Sequence, residues 1–365
     1  MSAYLVTYAL CIATLAMARR YRKINTLYVF FISLSLGGLS LLAGLRADTI
    51  GTDLLYYVKR FFIYGQNANS FSDIVALATT NNSEVGYWIW TVLIGKLIPD
   101  LHVFLFLTEL LIVVLVYKSI QLYEHKLSIV LSMTLFLLLF YNMSFNYVRQ
   151  FMAMTIVLYS VSYLRKNEDW KVMLLGGVAV LFHNSAVICV IFYAFYFLGK
   201  SKTLMKYKMF LFSITVILAL FFEKILAFFI THTSFIPNKY VNYFINDTTM
   251  SGISFTSVIL LVVPVFAIYI YARINSKAKE IGSLDFILLL SMVFNCISTG
   301  MFGRMTLYFD IFTYIIIVPC YIRTFNIKAK WVLGGYLLVS ITIYWFWYYI
   351  IQNYSETFPY QFFWA

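Results

Sequence analysis

The chain alternates between long apolar stretches and short polar ones along most of its 365 residues. A stretch of about 20 apolar residues is long enough to cross a bilayer as an α-helix. Twelve apolar runs can be read from the sequence, at 3–18, 26–45, 103–120, 127–142, 149–164, 172–183, 185–198, 209–230, 255–272, 283–302, 305–322 and 331–351. The pattern predicts an all-α integral membrane bundle of about 12 spans. No internal repeat or linker is visible, so residues 1–365 are expected to form a single transmembrane domain.

Short basic segments separate many of these runs and predict the orientation of the chain. Nineteen of the 27 Lys and Arg residues lie in six such segments, at 19–23, 118–126, 165–171, 200–208, 273–279 and 323–330. Basic loops remain on the cytoplasmic side of a membrane, so all six should be cytoplasmic. Both termini are then external, and the large external segments are 46–102, 231–254 and 352–365.

The stretch 84–98 does not fit a simple count of spans. If it crossed the membrane, it would reverse the side of every later basic loop. Its fifteen residues would rise about 22 Å at ~1.5 Å each, short of a ~30 Å hydrocarbon core. We therefore expect a re-entrant or interfacial helix that ends before Pro99 and Asp100, with a true span as the alternative.

The stretch 172–198 is too short for two full crossings, although the basic loops on both sides require an even number. A broken helix pair resolves the conflict, with the break at His183, Asn184 and Ser185. Irregular backbone at membrane depth is tolerated only where protein or a water-filled cavity covers it. The sequence therefore predicts a cavity near His183 on the external side.

Composition narrows the class of protein. Hydrophobic residues make up 62% of the chain and charged residues 12%, which leaves too little polar surface for a soluble globule. The net charge of +12 is distributed between apolar runs, so no nucleic-acid partner is expected. All four cysteines lie in apolar runs, and no nucleotide-binding motif is present, so neither a metal nor a cofactor is expected.

Three arginines, Arg46, Arg149 and Arg304, lie at the external edges of apolar runs. A charge in that position is costly and is by default a candidate for function. Guanidinium groups bind phosphate oxygens in a bidentate manner, so together the three suit a lipid pyrophosphate. For each arginine alone, snorkelling to lipid headgroups or pairing with a carboxylate is the structural alternative.

Three residues on the external side are candidate proton acceptors, and we rank them Glu84, His183 and Asp53. Glu84 opens the predicted helix 84–98 with no cation nearby in sequence, so partial burial is expected to make it a stronger base. His183 titrates nearest to neutral pH but also marks the helix break. Asp53 is close to Arg46 in sequence, which favours a structural role as an anchor for that arginine.

Five segments carry a resemblance to a known family: LRADTIGTDLLYY, SEVGYW, FNYVRQFMAM, LFHNSAV and FGRMTLYF. In this order they resemble the EpsG-like branch of the Wzy polysaccharide polymerases, over roughly residues 40–310. The resemblance implies a glycosyltransferase that joins undecaprenyl-pyrophosphate-linked oligosaccharide units at the outer face of a bacterial plasma membrane. The positions that match the family pattern are Arg46, Gly51, Thr52, Asp53, Tyr57, Glu84, Gly86, Tyr87, Arg149, Gln150, His183, Arg304 and Tyr308.

The implied partners are a lipid-linked glycan donor and acceptor and the bilayer, and a chain-length regulator is left open. Substrate contacts are expected from the three arginines and from Gln150, Tyr57, Tyr87 and Tyr308. The alternatives are a flippase or transporter of lipid-linked sugars, and a metal-dependent glycosyltransferase whose ligands would be Asp48 and Asp53. An acyltransferase that uses His183 lacks a second supporting motif.

Overall fold

The computed structural model describes residues 1–163, 168–200, 207–221, 224–225, 228, 255–275, 285–297 and 300–364. Within these ranges the chain is helical apart from turns, loops and an isolated antiparallel bridge between Arg46 and Phe362. The prediction of an all-α protein is confirmed. The predicted external segment 231–254 lies outside the described residues.

The helices are numbered here in chain order within the described ranges. The first unbroken set is α1 Ser2–Arg20, α2 Asn25–Gly44, α3 Lys59–Asn67, α4 Phe71–Thr80, α5 Val85–Leu97, α6 Leu101–Leu122, α7 Ile129–Ser144 and α8 Val148–Tyr163. The later set is α9 Asp169–Phe182, α10 Cys189–Lys200, α11 Lys208–Leu220, α12 Phe255–Ile274, α13 Asp285–Ile297, α14 Gly303–Thr324 and α15 Ile327–Ile351. A π-helical turn, Leu54–Val58, leads into α3, and a 3₁₀ turn, Asn184–Ile188, separates α9 from α10.

Six helices in the described part of the chain are long and apolar enough to cross a membrane: α1, α2, α6, α12, α14 and α15. Each corresponds to one of the predicted apolar runs. Other runs form shorter helices, such as α8 with 16 residues and α13 with 13. The chain is thus a multi-pass membrane protein, and the number of about 12 spans stays a prediction.

Contacts divide the chain into two compact units. The first unit comprises Met1–Val187 and Trp345–Ala365, and the second comprises Ile188–Tyr344. Since this division rests on contact density alone, the expectation of a single transmembrane domain stays a prediction.

The first unit has two distinct ends. Its helices pack in the order α1, α2, α6, α8 and α9. At one end, Arg22 after α1 forms an ion pair with Glu124 after α6, which brings two of the predicted cytoplasmic loops together. At the other end, His102 Nδ1 lies 2.9 Å from Gly44 O, so the end of α2 meets the start of α6. The polar loop 45–53 starts from this second end.

The C-terminal tail after α15 returns to this same end. The Ala47 N–H donates to Gln361 O at 2.9 Å, and the Phe363 N–H donates to Leu45 O at 3.0 Å. The tail therefore pairs its backbone with loop 45–53. Because the paired positions are separated by most of the chain, local sequence patterns did not predict this contact.

Both ends of α5 lie at the loop end of the first unit. At its start, Gly86 packs on Leu181 near the end of α9, and the preceding Glu84 contacts Arg149 in the first turn of α8. Its other end leads within four residues into α6. Whether this helix is re-entrant, interfacial or membrane-spanning stays a prediction.

The short helix α4 was not predicted. Ser70 caps it: the Asp73 N–H donates to Ser70 Oγ at 3.2 Å, and the Ser70 N–H donates to Asp73 Oδ2 at 2.9 Å. Such a reciprocal pair satisfies two backbone donors that a helix start leaves unpaired. The serine followed three residues later by an acid is the signal that would have revealed α4.

In the second unit, α13 packs against α14, and buried carboxylates are satisfied by polar neighbours. Asp310 accepts from Ser291 Oγ at 2.7 Å and from Asn295 Nδ2 at 2.6 Å. Asp285, at the start of α13, contacts Arg273 and Tyr321. These contacts reduce the cost of placing carboxylates in an apolar bundle.

Candidate functional site

The junction between α7 and α8 carries the polar side chains that hold the first external loop. Asn146 Oδ1 accepts from Thr52 Oγ1 and, at 3.1 Å, from the Asp53 N–H. One turn earlier, Asn142 Oδ1 accepts from Tyr8 Oη at 2.6 Å. The helix is interrupted between these asparagines and α8, so the junction presents polar groups to the loop instead of a continuous apolar surface.

Gly51 allows the loop to lie directly on this junction. Its φ is +85°, and a Cβ there would come 2.7 Å from Phe145 O. A side chain is therefore excluded both by the positive φ and by the backbone contact. The Gly51 N–H donates to Glu356 O at 3.0 Å, which ties the same turn to the C-terminal tail.

Arg46 lies beneath the tail and is only 2% exposed. Its Cζ lies 4.4 Å from the centroid of the Phe145 ring, a cation–π contact. Among the described residues, its Nε is buried without a hydrogen-bond partner. Burial lowers the pKa of Arg46, and the negative charge of the buried Glu109 opposes that effect. This guanidinium is therefore incompletely neutralised by the part of the protein that the structure describes.

Arg149 contacts Glu84 and two tyrosine rings. Its Nη1 lies 2.8 Å from Glu84 Oε2, and its Cζ lies 4.6 Å from the centroid of Tyr57 and 6.0 Å from that of Tyr87. The Arg149 side chain is 20% exposed and that of Glu84 only 3%. Arg149 Nε is also buried without a hydrogen-bond partner in the described ranges. The pair leaves donor capacity on the arginine.

Glu84 connects three segments that are far apart in sequence. Besides Arg149, it accepts from the Asn184 N–H, with Oε1 at 3.4 Å. Gly86 makes this approach possible, because a Cβ there would lie 2.6 Å from Leu181 O. The start of α5, the start of α8 and the break after α9 thus meet at one carboxylate.

The predicted helix break at His183 is confirmed, since α9 ends at Phe182 and the 3₁₀ turn follows. His183 Nδ1 accepts from the Ser185 N–H at 3.3 Å and lies 2.6 Å from Ser185 Oγ. These contacts hold the ring against the 3₁₀ turn at the helix break.

Asp53 and Tyr57 form a second polar pair beside Arg149. Tyr57 Oη donates to Asp53 Oδ2 at 2.5 Å. Burial raises the pKa of Tyr57 well above its ordinary value, and the negative charge of Asp53 raises it further. The positive charge of Arg149 acts in the opposite direction and lowers it. Tyr57 is therefore a protonated donor that orients the half-buried Asp53 carboxylate.

Tyr87 lies near Arg149, with its ring centroid 6.0 Å from Arg149 Cζ. Its hydroxyl is buried, has no hydrogen-bond partner within the described part of the chain, and is within electrostatic reach of both Arg149 and Arg46. The first unit thus contains three donor groups that are incompletely paired within the described residues. They are the guanidinium groups of Arg46 and Arg149 and the Tyr87 hydroxyl.

The structure brings five of the ten predicted site residues into one cluster. Arg149, Glu84, Tyr57, Tyr87 and Asp53 form a connected cluster. No cation lies near Glu84 in the sequence, but the fold brings Arg149, 65 positions away, into contact with it.

Besides Arg46 and His183, which are described above, three predicted residues lie outside this cluster. Gln150 is buried in α8, on the position after Arg149. Arg304, with an exposed side chain, and Tyr308, which is buried, belong to α14 of the second unit. A site made jointly by Arg46, Arg149 and Arg304 therefore stays a prediction.

The two acids of the metal-dependent alternative have different partners. Asp48 forms an ion pair with Lys59, and Asp53 accepts from Tyr57. Within the described residues, no group of three or more His, Cys, Asp and Glu side chains is arranged to hold a metal ion.

Three contributors were missed by sequence reasoning. Asn146 lies in the FNYVRQ segment, three residues before Arg149, and its amide holds the loop. Glu109 is an acid inside the apolar helix α6, and a charge at that position in the sequence is itself a signal of function. The C-terminal tail had no local signal at all.

Comparison with known proteins supports the family that the motifs suggested. No curated protein and no solved structure matches the chain. The profile of the EpsG family matches residues 26–362, a range that includes the loop 45–53, the Glu84–Arg149 pair, the helix break and most of the tail. The chain belongs to the EpsG family.

Proposed function

We propose that the protein is a glycosyltransferase that polymerises undecaprenyl-pyrophosphate-linked oligosaccharide repeat units into a surface polysaccharide. Membership of the EpsG family supports a role as a polysaccharide polymerase. We further propose the lipid carrier, the membrane face of the reaction and the roles of individual residues. The main support is that Arg46 and Arg149 each have a buried donor without a hydrogen-bond partner in the described ranges.

Unpaired buried donors indicate an anionic ligand. Each buried donor without a partner costs about 1–3 kcal/mol, and more when the group is charged. Arg46 Nε, Arg149 Nε and Tyr87 Oη are three such groups in the first unit. The oxygens of a pyrophosphate are acceptors of the right charge and number to satisfy them. The neighbouring bilayer brings a lipid-linked ligand to them.

In the proposed reaction, a sugar hydroxyl of the acceptor attacks the anomeric carbon of the donor glycan. A glycosidic C–O bond forms as the bond between the anomeric carbon and the phosphate oxygen breaks. The electron pair leaves with the lipid pyrophosphate, whose growing charge Arg46 and Arg149 stabilise. The hydroxyl proton passes to a protein base.

Asp53 fits the role of this base best among the three predicted candidates. Its carboxylate is half-buried and is oriented by Tyr57 Oη. Glu84 is held by Arg149, which weakens it as a proton acceptor. His183 contacts Ser185 through Nδ1 at the helix break, which suits a role in bracing that break. This order differs from the one expected from the sequence.

The reaction face is proposed to be the outer one. The ion pair between Arg22 and Glu124 joins two basic loops at the end of the first unit opposite to loop 45–53. If basic loops are cytoplasmic, the cluster of Arg149 and Glu84 faces outward. The protein would then act in the bacterial plasma membrane, where lipid-linked units arrive from the cytoplasm. A chain-length regulator is a partner to be sought by co-purification.

The test is deletion of the gene followed by gel analysis of the surface polysaccharide. If the protein is a polymerase, its deletion removes the ladder and leaves single-repeat material. Complementation with Arg149→Gln should then fail to restore the ladder. Arg60→Gln is the matched control, because Arg60 is an exposed arginine of the predicted external segment 46–102 and lies outside the Arg149 cluster. Loss of all surface glycan, with lipid-linked units trapped inside, would instead indicate a flippase.

A further inference from the structure

We infer that Glu84 is the resident counter-ion of Arg149, which competes with the pyrophosphate for that guanidinium and thereby drives release of the lipid pyrophosphate product. This inference rests on the proposed function. It assigns to Glu84 a positioning role that acts through Arg149, distinct from proton transfer.

Glu84 lies directly beside the guanidinium group that a pyrophosphate would bind. One edge of the Arg149 guanidinium is taken by Glu84 Oε2 at 2.8 Å, and one face is covered by Tyr57. Arg149 Nε is buried without a hydrogen-bond partner among the described residues. A phosphate group that satisfied Arg149 would therefore bring its negative charge close to the Glu84 carboxylate.

Glu84 is held firmly enough to act in each cycle. Its side chain is 3% exposed, and its second oxygen faces the Asn184 N–H at 3.4 Å. Gly86 and Leu181 are in backbone contact, which fixes the start of α5 against α9. The carboxylate therefore cannot swing into water when an anion arrives, and like charges at this distance repel by more than they would in solvent.

The charge of the product explains why a competitor is useful. The donor is a pyrophosphate diester, whereas the lipid product is a monoester that carries more negative charge at neutral pH. Arg46 and Arg149 would hold such a product more tightly than the donor. Because Glu84 stays beside Arg149 while the product is bound, its negative charge opposes retention of the product, so an otherwise slow release step is accelerated.

The test is titration of the full-length protein in detergent micelles with inorganic pyrophosphate, by calorimetry at constant ionic strength. Glu84→Gln should lower the dissociation constant about tenfold, because a repelling charge close to the ligand is removed. Glu124→Gln is the matched control: it removes the same charge from an exposed pair with Arg22 and should leave the affinity unchanged. Unchanged or weaker binding by Glu84→Gln would overturn the inference.

A double-mutant cycle shows whether the effect acts through Arg149. Arg149→Gln should weaken binding, and adding Glu84→Gln in that background should produce no tightening. Glu84→Asp keeps the charge and should bind within about threefold of the wild type, which guards against misfolding of the neutral variant. Tightening that persists without Arg149 would contradict the inference.

Turnover separates this role from that of a general base. With a lipid-linked donor, Glu84→Gln should lower both KM and kcat and should show a rapid first transfer followed by slow release. A slow first transfer with unchanged pyrophosphate affinity would mean that Glu84 takes the proton. If the wild type binds no pyrophosphate and Arg149→Gln polymerises normally, the proposed pyrophosphate site fails, whereas the deletion experiment decides separately whether the protein is a polymerase.

Discussion

Two glycines determine how closely the external segment approaches the helices beneath it. At Gly51 the loop lies on Phe145 O, and at Gly86 the start of α5 lies on Leu181 O. Neither contact leaves room for a Cβ, because the opposing atom is backbone in both cases. The two glycines thereby set the distances at which Arg46, Arg149 and Glu84 meet their surroundings.

Gly86→Ala should separate α5 from α9 and disrupt the contact between Glu84 and Arg149. The new Cβ would lie 2.6 Å from Leu181 O, an overpacked contact of the kind that costs about 1–3 kcal/mol. We expect at least about tenfold less polymer at equal protein level, measured on gels of surface glycan.

Gly177→Ala in α9 is the control, since a Cβ there would meet no atom within 4 Å. It should retain normal polymer, because alanine favours the helix. Normal polymer in Gly86→Ala would show that the approach of α5 to α9 does not matter for activity.

Replacing Arg46 or Arg149 by lysine should impair polymerisation nearly as much as replacement by alanine. Lysine keeps the charge but loses the planar fork that pairs with two phosphate oxygens, and it stacks less well on the rings of Phe145 and Tyr57. The measurement is ladder length and amount after complementation with each variant. Full activity of the alanine variants at normal protein level would exclude the anion site.

At the scale of single residues, the sequence identified which side chains carry chemistry, but it did not predict which of them contact each other. Glu84 and Arg149 were both identified, one as the start of a short helix and one as a charge at the edge of an apolar run. Their ion pair joins positions 65 apart, and no local pattern encodes such a distance. The ranking of Glu84 as first proton acceptor did not take this contact into account, and the identity of the base stays a prediction.

At the scale of helices, apolar length and loop charge predicted much of the architecture. The break at His183 followed from a stretch too short for two crossings, and the chain does leave the helix there. The helix α4 was missed because its apolar content is modest and its capping signal at Ser70 was not used. Apolar runs predict that a helix is present, whereas capping residues indicate where the helix begins.

The short helix α5 gives a prediction about sidedness. If α5 enters and leaves at one end of the first unit, cysteines at Thr80 and Pro99, on either side of it, should react from the same side of the membrane. Both positions are exposed. The measurement is labelling of single-cysteine variants in intact cells with an impermeant maleimide.

Glu124→Cys is the control for the opposite side. Glu124 lies beyond α6, next to the basic loop residue Lys126, and should react only after the cells are permeabilised. Reaction of Thr80→Cys and Pro99→Cys from opposite sides would mean that α5 spans the membrane.

At the scale of the whole molecule, the C-terminal tail completes the first unit. Thr357 accepts from Tyr4 Oη through its carbonyl at 2.7 Å and from Asn142 Nδ2 through its hydroxyl at 3.2 Å. The tail also pairs with the backbone on both sides of Arg46. Predicting this closure from sequence was not feasible, because a polar tail of 14 residues after the last span resembles any external terminus.

Deleting residues 352–365 should abolish polymer and weaken pyrophosphate binding, because Arg46 would lose its cover and become hydrated. The measurements are the gel ladder and a pyrophosphate titration of the truncated protein. Trp364→Ala is the control, since that side chain is 60% exposed at the end of the tail. Normal polymer from the truncated protein would show that the tail only covers the surface.

The most direct test of the central claim is polymer synthesis by the purified protein in lipid vesicles, with an undecaprenyl-pyrophosphate-linked repeat unit as the sole substrate. The account predicts a ladder of products with release of lipid pyrophosphate for each bond formed. Arg149→Gln should slow this by about 10²-fold, and Arg60→Gln should match the wild type. Polymerisation by Arg149→Gln at the wild-type rate, or transfer of the intact unit across the vesicle membrane without bond formation, would contradict the account.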